Sequence, residues 1–122
     1  MNFQMHQKGN QKIAEVVGEG LFISSAADAF QAMMDISYEA GVKKMVFHQA
    51  NMGPDFFDLK TKVLGELMQK AVNYQIQVAF VGSFSKMESK SLKDLIYESN
   101  KGHQQFFAED LETALELLAT HE

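Results

Sequence analysis

Residues 45–81 read MVFHQANMGPDFFDLKTKVLGELMQKAVNYQIQVAFV, and this stretch decides the fold. It opens with a short apolar run, Met45 to Phe47, which is typical of a strand covered on both faces. A loop with the only proline follows, and then a long helix that we expect to begin at Asp55 or Asp58. The stretch ends in a second apolar strand, Ile76 to Val81. It therefore predicts a strand-helix-strand unit.

Further strands and helices flank this unit on both sides. Phe3 and Met5 alternate with polar residues, as in a half-buried strand, and the turn residues Lys8-Gly9-Asn10 lead into a second strand at about residues 12–17. Helical spacing of apolar residues predicts one helix between this hairpin and the unit. After the unit, the same spacing predicts two more helices, and the run Gln105 to Phe107 predicts a strand between them.

We therefore expect a single α/β domain over residues 1–122. Its sheet would be mixed but mostly parallel, with five or six strands, an N-terminal antiparallel hairpin and four helices. The most apolar run, Val78 to Val81, should lie between two parallel neighbours. Ser25 and Ser89 are suited to cap helices, and Gly65 inside a helix suggests that another element packs closely there.

Composition is typical of an ordinary globular protein. The chain has 122 residues, 46% of them apolar, which is enough to bury a core. The absence of cysteine fits a reducing compartment. The apolar runs are far shorter than the about 20 residues of a membrane helix, and the first residues lack the features of a signal peptide. We expect a cytoplasmic protein with no membrane partner.

The charge pattern makes a nucleic-acid partner unfavourable. The net charge is −5, and all 11 basic residues are lysines. Arginine is the side chain that recognises phosphates and guanines through two parallel hydrogen bonds, and an acidic chain repels a polyanion. We therefore expect no nucleic-acid binding.

The loops that leave the parallel strands should meet at one edge of the sheet, which we call the carboxyl edge, where ligands usually bind. They cover residues 48–61 and 82–91 and the residues around Ala108, and the first two are unusually apolar for loops. The apolar residues in question are Met52, Phe56, Phe57, Phe84 and Met87. Exposed clusters of this kind often mark partner surfaces, which favours a non-catalytic protein-interaction module. The alternative is that these side chains fold back over the core.

The same edge leaves a second hypothesis open, a small-ligand or anion-binding protein or an enzyme. The amides at the helix start near Ser89 could hold a small anion. The residues that we predict to bind a ligand or partner are Asp55, Phe56, Phe57, Asp58, Lys60, Thr61, Glu66, Ser83, Phe84, Ser85, Met87, Ser89 and Lys90. Helix-capping roles explain several of them equally well.

Catalysis has less support than binding. No nucleophile has a histidine partner at a recognisable spacing, and the four histidines are scattered. His48, at a strand end, has no nearby carboxylate in the sequence, and we expect it to be solvated or hydrogen-bonded. We predict no catalytic residue, no metal site and no cofactor. The helix between Asp55 and Tyr74 could also serve as a homodimer face.

The order of elements resembles that of STAS domains, the fold of anti-sigma-factor antagonists, over nearly the whole chain. The resemblance implies a regulatory role through protein binding. Those antagonists carry a phosphorylatable serine after an aspartate at the start of a helix, and the matching place here is Asp58-Leu59-Lys60-Thr61. The aspartate matches, but the serine is missing and Thr61 is the nearest hydroxyl. A partner could dock without a phosphorylation switch.

The second half of the chain also resembles the signature of a bacterial family catalogued as a domain of unknown function. The segments that carry this likeness are Asp55-Phe56-Phe57-Asp58-Leu59-Lys60-Thr61, Gly65-Glu66, Gln69-Lys70, Asn73-Tyr74, Ser89-Lys90-Ser91-Leu92 and Glu98-Ser99-Asn100-Lys101-Gly102. The resemblance implies a shared fold and leaves the activity open.

Overall fold

The computed structural model describes residues 2–120 as a five-stranded sheet with four helices. The strands are β1 (Asn2–Lys8), β2 (Gln11–Val17), β3 (Lys44–His48), β4 (Gln77–Val81) and β5 (Gln105–Ala108). The helices are α1 (Ala26–Ala40), α2 (Val63–Asn73), α3 (Lys90–Lys101) and α4 (Leu111–Thr120). The predicted α/β class, the N-terminal hairpin and the number of helices are confirmed.

The strands follow one another in the sheet in the order of the sequence, β1-β2-β3-β4-β5. β1 and β2 form the antiparallel hairpin, and their turn contains Gly9 at a φ of +60°. The other three pairings are parallel, each with a helix in the crossover. β4 therefore lies between two parallel neighbours, as Val78 to Val81 predicted.

The two faces of the sheet are covered differently. Because successive side chains of a strand point to opposite sides, Met45 and Phe80 pack under α1, α2 and α3, on what we call the three-helix face. Val46 and Ala79 pack under α4 alone, on the α4 face. One helix is narrower than a five-stranded sheet, so part of the α4 face lies beyond α4.

Helix ends follow the local sequence signals. The Asp28 backbone N–H donates to Ser25 Oγ at 3.0 Å, and the Leu92 N–H donates to Ser89 Oγ at 3.2 Å, so both predicted caps are confirmed. Gly41 ends α1 at a φ of +68°, with its N–H bonded to the carbonyl oxygen one turn back.

The predicted start of α2 is wrong. The helix begins at Val63 rather than at Asp55 or Asp58, and two short 3-10 turns precede it. These turns are Pro54–Phe57 and Leu59–Thr61. Lys62 has a φ of +65°, in the left-handed region, so the right-handed helix cannot extend back past it. Asp58 caps the second turn instead, since its Oδ1 accepts from the Lys60 N–H at 3.1 Å.

Candidate functional site

A cleft of about 700 Å³ opens at the carboxyl edge, between the loops that leave β3 and β4. The last residues of these strands, His48 and Val81, are paired in the parallel register, so the two loops diverge from one point. The lining residues are Leu21, His48, Gln49, Ala50, Met52, Gly53, Pro54, Phe57, Val81, Gly82, Ser83 and Met87. Clefts that hold small organic molecules have roughly this volume, about 300–1,000 Å³.

Gln49 and Gly82 join the two loops at the base of the cleft. Gln49 Oε1 accepts a hydrogen bond from the Ser83 N–H at 3.0 Å. A Cβ atom at Gly82 would lie 2.3 Å from that Oε1 and 2.6 Å from Gln49 Cβ, so the close approach requires glycine. The Gly82 N–H itself donates to the Ala108 carbonyl at 3.0 Å. The cleft wall is thus tied to both β3 and β5.

Glu109 fixes the other side of the β4 loop. Its carboxylate accepts from the Phe84 N–H at 2.9 Å, from the Ser85 N–H at 3.2 Å and from the Ser85 hydroxyl at 2.9 Å. The sequence analysis placed the residues around Ala108 at this edge but gave Glu109 no role, because it meets this loop only through the parallel pairing of β4 with β5. These three bonds tie the β4 loop to the residue that follows β5.

Leu21 enters the cleft from a segment outside the two loops. Buried Asn51 donates from Nδ2 to the carbonyls of Gly18 and Gly20, at 3.0 Å each, and a parallel bridge joins Ile23 to the chain at Met52. These bonds hold the segment after β2 against the β3 loop. Leu21 stands at the rim with 65% of its surface exposed.

A histidine–glutamate cluster, His6, Glu15 and His48, borders the cleft on the α4 face. Glu15 lies on β2, only 8% exposed. Its Oε1 is 2.8 Å from His6 Nε2, and its Oε2 is 2.7 Å from His48 Nε2. Burial raises the pKa of the Glu15 carboxyl. The hydrogen bonds from His6 and His48 together lower it by more than burial raises it, so the pKa lies below its ordinary value of 4.5. The carboxylate is therefore ionised at neutral pH.

The cluster corrects the sequence-based interpretation of His48. A carboxylate does lie within hydrogen-bond distance, but it is 33 residues away in the chain, on the strand paired with β3. The predicted hydrogen-bonded histidine is confirmed. Within residues 2–120, no group of histidine, aspartate and glutamate side chains has an arrangement that could hold a metal ion.

The chain matches a known protein family. The family described as a domain of unknown function, DUF4180, matches residues 8–118. The chain belongs to the DUF4180 family. Searches of curated proteins and of solved structures gave no match. The resemblance to an uncharacterised family is thus confirmed, while the likeness of this DUF4180 chain to STAS domains stays a prediction from the order of its elements.

The apolar loop residues of the DUF4180 chain are mostly buried, contrary to the first hypothesis. Met52, Phe56, Phe57 and Phe84 belong to the core of the three-helix face, and only Met87 among the five is partly exposed. The Phe84 ring lies 5.3 Å from the ring centroids of both Phe57 and Phe107. The prediction of an exposed aromatic cluster is therefore wrong, because these rings close the end of the core below the cleft.

Three of the predicted binding residues, Phe57, Ser83 and Met87, line the cleft. Asp58 and Ser89 line a shallower depression of about 410 Å³ beside it. The Thr61 hydroxyl lies 2.7 Å from the Asp55 carbonyl and 2.8 Å from that of Asp58, so it is used within the turns. The residues in capping or turn contacts are Asp58, Thr61 and Ser89.

The predicted charged residues lie outside the cleft lining. Lys90 pairs with Asp94 at 3.0 Å, and Glu66 pairs with Lys70 at 3.9 Å, both along exposed helix surfaces. Lys60 is exposed on the second 3-10 turn. None of the three therefore supplies a charge to the cleft of the DUF4180 chain.

In this DUF4180 chain, none of the helices within the described residues, 2–120, is both long enough and apolar enough to cross a bilayer.

Proposed function

We propose that this chain is a non-catalytic regulatory module that binds a small organic molecule in the carboxyl-edge cleft. The observation that carries the proposal is that hydrogen bonds within the chain fix the walls of the cleft. Gln49, Asn51 and Glu109 each form such a bond with a backbone group. A site that is ordered in advance loses little entropy when a ligand enters.

The lining supports a ligand with an apolar body. Leu21, Met52, Phe57 and Met87 supply hydrocarbon and thioether surface, and His48 is among the few side chains in the lining that can form hydrogen bonds. The described lining contains no lysine, which makes a phosphate-like anion a poor occupant. Burial of apolar surface gives the affinity, and the polar groups set the orientation.

The arrangement of the hydroxyl and carboxylate groups supports binding rather than catalysis. Asp58, Thr61 and Ser89, which the sequence predicted to bind a ligand or partner, serve in turns and caps. A nucleophile needs a base within about 3 Å, and these residues are bonded to backbone atoms instead.

A cleft-filling substitution tests the proposal. Ala50 lines the cleft, and Ala50→Trp places an indole in the space that a ligand would occupy. A fragment library is screened against labelled protein by NMR, with the amides of Gln49 and Gly82 as reporters. We expect fragments that shift the NMR signals of these two amides in the unmodified chain and that no longer bind to Ala50→Trp. Ala27→Trp, on an exposed alanine of α1 outside the lining, is the matched control.

The proposal is overturned if the fragments that bind shift the NMR signals of amides outside the cleft and bind Ala50→Trp and the unmodified chain with equal affinity. Ala27→Trp should leave every hit unchanged, because it adds the same ring at a site that no ligand needs.

A protein partner is the second candidate, and exposed Leu21 favours it. A leucine that stands 65% exposed beside an apolar cleft gives a partner a contact next to a pocket for one inserted side chain. The partner would be another protein or a second copy of this chain.

Leu21→Ser tests this second candidate. It should weaken the complex, measured by sedimentation for the homodimer and by pull-down for another protein. Tyr38→Ser, on an exposed tyrosine of α1, is the control. Equal loss of the complex in both variants, or no loss in either, contradicts a role for the cleft rim.

A further inference from the structure

His48 belongs to both the cleft and the histidine–glutamate cluster. It lines the cleft next to Gln49, and its Nε2 lies 2.7 Å from Glu15 Oε2. The imidazole that lines the cleft is thus hydrogen-bonded to a residue that lies outside the lining. Glu15 is that residue.

The hydrogen bond fixes which nitrogen of His48 carries the proton. An ionised carboxylate can only accept hydrogen bonds, so the Nε2 atom that faces it must be the donor. In the neutral imidazole, Nδ1 then keeps its lone pair. Among the described residues none engages Nδ1, and it is the ring nitrogen that remains for a ligand.

His6 keeps the carboxylate in this arrangement. It binds Oε1 at 2.8 Å while His48 binds Oε2 at 2.7 Å, so each oxygen has its own imidazole donor. The three side chains come from three adjacent strands, β1, β2 and β3, whose pairing sets their spacing. A carboxylate that accepts a hydrogen bond from one ring nitrogen of a functional histidine commonly fixes the tautomer and the orientation of the ring.

We propose that Glu15 is a positioning residue that makes His48 a hydrogen-bond acceptor inside the cleft. This inference rests on the proposed function and narrows it. The ligand class is a neutral molecule with an apolar body and one O–H or N–H donor that reaches His48 Nδ1. Ligands whose polar group can only accept hydrogen bonds are disfavoured, because they would face a lone pair.

The tautomer is tested without any ligand. Long-range proton–nitrogen NMR correlations at neutral pH should show His48 with its proton on Nε2, and the hydrogen-bonded Nε2 proton should be visible because it exchanges slowly with water. In Glu15→Ala this proton signal should disappear. If that variant folds poorly, the position of the proton in the unmodified chain decides by itself. A proton on Nδ1 in the unmodified chain overturns the inference.

A matched pair of probes, benzyl alcohol and toluene, tests the ligand class. They share one ring and differ in a single hydroxyl donor. Titration is followed at the amides of Gln49 and Gly82. We expect the preference for the alcohol over toluene, taken as the ratio of their dissociation constants, to fall roughly two- to tenfold in His48→Phe, which is the effect of one hydrogen bond. His103→Phe, on an exposed histidine, is the control.

The possible failures are distinguishable. If both probes bind and the ratio of their dissociation constants is the same in the unmodified chain and in His48→Phe, the inference is wrong while the proposed function stands. If neither probe moves the cleft amides, the proposed function itself fails, and the inference fails with it.

Discussion

On the three-helix face of the sheet, four phenylalanine rings interlock at centroid separations of 5.1 to 6.2 Å, whereas the α4 face carries three polar side chains joined by hydrogen bonds. The ring cluster consists of Phe57, Phe80, Phe84 and Phe107. Both clusters lie beside the same cleft. The first closes the core below it, and the second presents one ionisable side chain to it.

The difference follows from how much of each face is covered. Three helices exclude water from their side of the sheet, and a polar group there would lose its hydration with no gain. The single helix α4 leaves part of its side open on β1, where Asn2 and Gln4 are exposed. A carboxylate survives there at 8% exposure because two imidazoles replace the lost water. Chemistry is therefore expected on the incompletely covered face.

The largest effect is expected in the ring cluster. Phe84 is 4% exposed, so Phe84→Ala removes a ring from a packed core and should lower the free energy of unfolding by about 3 kcal/mol, measured by urea denaturation. For the same reason Phe84→Ser should destabilise the fold. Tyr97→Ala, on an exposed tyrosine of α3, is the control. A loss below about 1 kcal/mol would mean that the rings contribute less than their burial implies.

The histidine–glutamate cluster should give the next largest effect. Glu15→Ala removes two hydrogen bonds to an ionised group and should lower the free energy of unfolding by about 2 kcal/mol at neutral pH. Glu15→Gln should cost less, because its amide can accept from one histidine and fits the same space. Equal losses in the two variants would contradict this order and would show that the carboxylate, and not the space that the side chain fills, sets the stability at this site.

The effect of Glu15 should also depend on pH. Its pKa is lower in the folded chain than its ordinary value of 4.5. The stabilisation is thus fully present well above that value and is lost as the pH falls through the lower, folded pKa. The difference in stability between the unmodified chain and Glu15→Gln should shrink on acidification below 4.5. A difference that grows toward acid pH would contradict the shift.

Sequence reasoning succeeded where contacts are local. The caps at Ser25 and Ser89 involve a residue three positions on, and short apolar runs identified β3 and β4. The same local reasoning misplaced the start of α2, since a left-handed residue at Lys62 has no strong signature in a lysine. The fold class and the position of β4 between two parallel neighbours followed from these local signals, whereas the strand order did not.

The site could not be predicted in the same way, because its contacts join distant parts of the chain. Glu15 meets His48 only after β2 and β3 pair in one register, and a shift of one residue would turn Glu15 to the other face. Glu109 likewise reaches Phe84 through the pairing of β4 and β5. The one available signal was a charged residue inside the apolar β2 run.

A smaller effect is expected where the loops from the two strands meet. Gly82→Ala places a methyl group against Gln49, which must move and break its bond to the Ser83 N–H. The free energy of unfolding should fall by about 1 kcal/mol, the value of one hydrogen bond, and hydrogen exchange at Ser83 should accelerate. Gly53→Ala is the control, since its Cβ would meet only atoms at 3.7 Å or beyond. Unchanged exchange at Ser83 would mean that Gln49 does not hold the cleft wall.

The smallest effect, and the only gain, is expected on the outer side of the three-helix layer. Gly65 was expected to pack closely against another element, but a Cβ there would have no atom within 4 Å beyond the helix backbone, so that expectation is wrong. Gly65→Ala should therefore raise the free energy of unfolding by about 0.5 kcal/mol in urea denaturation. This is the lower end of the helix-propensity difference, because residue 65 lies in the first turn of α2. A loss of stability would instead show a contact at this surface, such as a second copy of the chain docked on α2, which predicts that the loss depends on protein concentration.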